Sequence, residues 1–157
     1  MIKAIFACLA VAALGAASAS IAFGTPPFLA SGSPPVRGTI EQPFKVELNG
    51  VIKVKTKAAL DVVDQTVTIQ PGGNSGWHGH PGPVLVVVKA GTVTFYEADD
   101  PTCTPHSFSA GQALVDSGSG HLARNQGSVP VELSFTYLLP AGAPFRTDLA
   151  DPGYCSA

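Results

Sequence analysis

Three of the chain's 4 histidines stand where they could share one ion. His78 and His80 lie in the run Gly76-Trp77-His78-Gly79-His80-Pro81-Gly82-Pro83. Alternate side chains of an extended strand point to one face, so a His-x-His pair puts two imidazoles side by side. Such a pair chelates a divalent metal through nitrogen. Taken alone it is a weak signal, because paired surface histidines are the commoner explanation. His121 lies in GQALVDSGSGHLARN, behind a glycine-rich turn. One histidine there ordinarily reads as core or surface. His106, in TCTPHSF, reads as surface, with a fourth ligand as the lesser alternative.

Together the two segments resemble the paired motifs of the cupin superfamily. The first motif runs Gly, five residues, His-x-His, three or four residues, Glu, six residues, Gly. Gly72, His78, His80, Val84 and Gly91 reproduce that spacing. The second motif places Gly, Pro-x-Gly, His and Asn in order. Gly111, Ser117, His121 and Asn125 match its frame with one residue fewer before the histidine, and Ser117 and Ser119 replace the usual Pro and Gly. The resemblance covers about residues 62–137. With DPTCTP around Cys103 and the tail carrying Cys155, the whole chain looks like a small exported bacterial cupin. It implies an all-β fold, a single cupin jelly-roll β-barrel, holding one divalent ion on His78, His80 and His121.

One departure changes that site. The motif's glutamate is Val84 here, and the longer gap gives Leu85, which binds metal no better. Three neutral imidazoles leave a divalent ion its full charge, which favours an anionic fourth ligand such as hydroxide, a carboxylate or an enolate. They also leave an open position, as catalytic sites do. Imidazole suits iron, zinc, nickel and copper alike, and manganese is also compatible with the family, so the ion's identity stays open. A degenerate cupin that binds nothing is the plain alternative.

The rest of the chain must position these residues. Residues 1–19 read as a signal peptide: Lys3, an apolar run from Ala4 to Leu14, then Ala17-Ser18-Ala19 as a cleavage site. The run is short for a membrane span, so no stable anchor is expected after removal, and the protein reads as secreted or periplasmic. Discarding Lys3 takes the net charge from −2 to −3, and no basic patch offers a nucleic-acid partner. Cys103 and Cys155 remain as an even pair, read as a disulfide in an oxidising compartment; free thiols, or Cys103 as a ligand, are the alternatives.

Residues 20–38 are rich in Pro, Gly and Ser and read as a flexible leader to a domain at 39–157. Strand signals follow at 51–57, 61–70, 84–89, 92–97, 113–116 and 129–139, and 71–76 reads as a turn cluster. Ala90-Gly91 between two β-branched runs reads as a hairpin. Residues 140–157 read as an irregular tail. Short strands, 17 Gly, 14 Pro and few charges fit a sandwich or barrel without helices.

Neighbours of the motifs are read modestly. Glu97 and Asp116 are the nearest acids, each a solvated group or an outer-shell partner. Trp77 faces away from His78 and packs between layers, Arg124 alternates away from His121, and Tyr96 points either inward or outward. Two function classes fit: a mononuclear metal enzyme, oxygenase or isomerase, on a small organic acid or ketone, and a non-catalytic module that binds a small anion or metal. A homodimer is compatible with both. An aromatic and Arg-lined pocket around the histidines would favour a substrate site; a barrel filled with Leu and Val would favour a structural role.

Overall fold

The β-branched runs become strands because Val, Ile and Thr suit a pleated surface with one face covered. The computed structural model describes residues 24–155; the segment 1–19, read above as a signal peptide, lies outside the described residues. In chain order the strands are β1 (Phe28–Gly32), β2 (Val36–Ile40), β3 (Lys45–Leu48), β4 (Ile52–Lys55), β5 (Leu60–Asn74), β6 (His78–Gly79), β7 (Val84–Ala90), β8 (Thr92–Glu97), β9 (His106–Ser109), β10 (Ala113–Asp116), β11 (His121–Arg124), β12 (Val131–Pro140) and β13 (Thr147–Asp148). No helix occurs among the described residues.

All pairings are antiparallel. One layer runs β10-β7-β12-β5, with β1 and β2 along the far edge of β5. The other is built from β9, β8, β11, β6 and β13. They join where Arg124 of β11 pairs with Asn74 of β5, giving a nearly closed jelly-roll barrel. Burial alternates along β7 and β12, the mark of strands with one face inside. Val63, Val84, Val86, Val88, Val93, Leu133 and their neighbours form the core between the layers. Each such side chain contributes roughly 1.5–3 kcal/mol on burial.

Four expectations need correction. First, the segment read as a leader carries β1 and β2, which pair along β5 from Asn74 to Leu60. Its prolines flank the strands, where missing amide donors cost little. Arg37 of β2 forms an ion pair with buried Asp61 of β5. Second, β7 and β8 are not a hairpin: β7 pairs with β10 and β12, β8 with β9 and β11. Gly91, at φ 74°, turns the chain from one layer to the other, and a Cβ there would meet the Pro130 carbonyl oxygen at 2.7 Å. Third, β5 runs through Pro71-Gly72-Gly73 to Asn74, so the turn cluster is largely strand. Fourth, the tail is partly ordered by β13, which pairs with β6 beside the histidines, Thr147 with Gly79 and Asp148 with His78.

Outside the barrel, β3 and β4 form a separate hairpin, turned by Asn49 and Gly50 at positive φ. Near the other end Cys103 and Cys155 are joined by a disulfide spanning 52 residues, packed with Trp77, Leu122 and Leu149. A loop of that length corresponds to about 4 kcal/mol in the chain-entropy account.

Candidate metal centre

β6 is only two residues long, yet it seats His78 opposite His121, because β6 and β11 pair at those two positions. His80 follows past Gly79, its amide donating to the Gly118 carbonyl. Gly118 sits at φ 91°, and a Cβ there would meet the His80 carbonyl oxygen at 2.6 Å. The motif's turn therefore keeps a glycine between Ser117 and Ser119, against the His80 and Gly82 carbonyls.

The three imidazoles are buried, with ring centroids 4.9, 4.4 and 5.3 Å apart. One nitrogen from each lies within 4.8 Å of the others. Their orientation follows from three main-chain acceptors. The Nδ1 of His78 bonds Gly76 O at 2.9 Å, that of His80 bonds Phe145 O at 2.6 Å, and that of His121 bonds Ser119 O at 3.0 Å. A carbonyl only accepts, so each Nδ1 carries the proton and each Nε2 keeps a lone pair. Carbonyls that fix the tautomer in this way are the usual support of a metal-binding histidine. The His80 Nε2 is buried and has no hydrogen-bond partner. An orphaned lone pair in an apolar interior is costly, and a divalent ion would satisfy it. The donor set fits a divalent metal held by His78, His80 and His121.

Burial, with the nearby His121 and Arg146, pushes the His78 pKa down to about 2. Burial also lowers that of His80. Both rings are neutral at ordinary pH, which is the ligating form.

The histidines line a cavity of about 170 Å3. Phe95, Phe135, Tyr137 and Phe145 supply apolar walls, and Arg146 and Gln65 supply polar groups. Tyr137 stacks edge-on against His80 at 5.1 Å, and burial raises its pKa. Arg146 is held by Asp148 at 2.6 Å and by the Ser75 carbonyl at 2.8 Å. None of these lining residues carried a motif. Tyr137 and Phe135 belong to the alternating β12 strand, where a run of inward aromatic positions was the available signal. Phe145 and Arg146 lie just before β13, in a stretch with no periodicity.

Several other residues singled out in the sequence lie away from the three imidazoles. Tyr96 packs beside Trp77 and Leu122, away from the cavity. His106 is exposed at the start of β9. Asn125 is fully buried; its amide nitrogen donates to Ile69 O and Val129 O, and its oxygen accepts from Gly127 N. It clamps the loop at Gly127 and Val129 to β5 at Ile69 and is not among the residues lining the histidine cavity. Val84 is fully buried in the core. Among the described residues, no helix is long and apolar enough to cross a membrane.

Residues 65–139 match the family model described as Cupin domain, so this stretch is a cupin domain. Among curated proteins, none matches the chain. Several solved structures are similar to it. The cupin domain of an XRE-family transcriptional regulator from Enterobacter cloacae is 20% identical, over 50% of this chain and 81% of that one, with a TM-score of 0.42. Lactobacillus farciminis oxalate decarboxylase, in a formate complex, is 23% identical over 56% of this chain and 26% of its own, with a TM-score of 0.49. A polyketide cyclase from Streptomyces resistomycificus is 16% identical over 58% and 64%, with a TM-score of 0.46. This chain thus spans about a quarter of the decarboxylase.

Proposed function

We propose that the protein is an exported mononuclear metal enzyme of the cupin type, of oxygenase or isomerase class, acting on a small organic acid or ketone. One observation carries the reading. Three buried imidazoles, each oriented by a carbonyl on Nδ1, line a cavity walled by aromatic rings and Arg146. A cavity filled by Leu and Val would have argued for a purely structural centre. Bound there, a divalent ion would act as a Lewis acid toward a carbonyl or as a centre for activating oxygen or water.

The chain's own residues do the rest. The aromatic walls exclude water and strengthen every charge interaction inside. Their space suits a ligand on the order of one six-membered ring. Arg146 is positioned by Asp148 and Ser75, and its planar guanidinium matches a carboxylate. Export is supported by the disulfide, which persists in oxidising compartments.

The test uses cobalt-loaded protein and two probes, benzoate and pyruvate. Binding of either should change the cobalt visible spectrum, and Arg146→Ala should weaken that response about tenfold, the loss of one charge-assisted contact. A protein that holds cobalt yet shows no response to either probe, or the same response in Arg146→Ala, would point to a non-catalytic ion-binding module instead.

A further inference from the structure

The centre lacks the motif glutamate, but it does not lack a carboxylate. Asp116 ends β10, directly opposite Val84 in the β10–β7 ladder. In that ladder Leu114 pairs with Val86 and Asp116 with Val84, so Asp116 shares the inward face of the fully buried Val84. Cross-strand partners hold their Cβ atoms about 5 Å apart. A carboxylate at 116 therefore stands one strand away from where a glutamate at 84 would have been.

Its surroundings agree. The Asp116 side chain is only 8% exposed. Its Oδ1 accepts from the Gly118 amide at 2.8 Å, which fixes the carboxylate plane and shapes the turn before His121. Its Oδ2 is left facing the histidines, 3.6 Å from His80 Nε2 and 3.4 Å from His121 Nδ1. The His121 contact is ordinary, since that nitrogen carries a proton shared with Ser119 O. The His80 contact is not. His80 donates through Nδ1 to Phe145 O, so its Nε2 and the Asp116 Oδ2 both offer lone pairs toward each other with no donor between. Two acceptors held face to face in a nearly dry site repel unless a cation joins them.

Resting on the metal-centre reading above, we propose that Asp116 is the anionic group of this centre, taking over from the glutamate that residue 84 lacks and holding the cation against His80 Nε2. The centre is then three imidazoles and one carboxylate, contributed by the second motif's strand instead of the first. The ion's charge is partly balanced by the chain itself, and an exogenous anion is no longer required for it to stay bound.

The test is a cobalt titration followed by visible absorption, on the wild-type protein and on Asp116→Asn, Asp116→Ser and His80→Ala. Asn keeps an oxygen acceptor for Gly118 and removes only the charge; Ser keeps a turn acceptor and serves if Asn disturbs folding. We expect wild type to bind, His80→Ala to lose binding, and both Asp116 variants to bind about 10–100-fold more weakly with an altered cobalt spectrum. Wild-type affinity and spectrum in the Asp116 variants, with binding lost in His80→Ala, would overturn the role of Asp116 and leave the histidine centre standing. No cobalt bound by wild type would overturn both.

Discussion

A histidine becomes a ligand when something else takes its second nitrogen. His78, His80 and His121 each meet a main-chain carbonyl on Nδ1, and those carbonyls come from Gly76, Phe145 and Ser119. Two of them are local, two residues away, and belong to the motifs. The third comes from 65 residues downstream and belongs to the stretch before β13. The histidines were therefore legible through the two motif frames taken together, and the support of His80 was not. The same holds for the cavity: Arg146 and Phe145 reach it only because the fold returns the tail to β6. Asn125, by contrast, matches a motif position and serves the backbone. Asn125→Ala removes the side-chain partner of two carbonyls and one amide, all three through buried or partly buried bonds. It should cost about 3 kcal/mol in denaturant unfolding, while cobalt affinity measured on the folded variant changes little. An unchanged stability would contradict the clamp.

At the scale of elements, periodicity located most strands and misjudged their partners. β7 and β8 read as a hairpin because both are β-branched and a glycine separates them. Pairing is decided by where each strand's apolar face finds cover, and the jelly roll sends the two into different layers. β1 and β2 were hidden by their prolines and by exposure, since edge strands need little apolar sequence. What fastens β2 is a polar clasp. Asp61 of β5 accepts from the Thr39 hydroxyl at 2.6 Å, from the Gly142 amide at 2.8 Å and from Arg37. These bonds, Thr39 first, hold its carboxyl below the usual carboxylate range. A depressed folded pKa means stability that is fully present above the ordinary value near 3.9 and lost as the pH falls below it through the lower folded value. Asp61→Asn should therefore lower the melting temperature at neutral pH and flatten its decline between about pH 5 and pH 3. Parallel declines for wild type and variant would show that the clasp does not carry this stability.

For the whole molecule, the barrel was the most legible feature, because it rests on composition, turn spacing and two motif frames at once. The placing of the tail was not, since that depends on β13 finding β6 and on the disulfide from Cys103 to Cys155, which packs with Trp77. The two are connected. The tail that the disulfide ties down also brings Phe145 to His80, so covalent structure, the β13–β6 pairing and the orientation of one imidazole form a single arrangement. The function proposed for it is a metal centre built into a cavity of about 170 Å3. Metal analysis of the purified protein, reconstituted separately with iron, zinc, manganese, nickel and copper, tests that most directly. The account predicts close to one divalent ion per chain, lost in His78→Ala and in His121→Ala while the β-rich circular dichroism spectrum persists. A folded wild-type protein that retains none of these ions would contradict it.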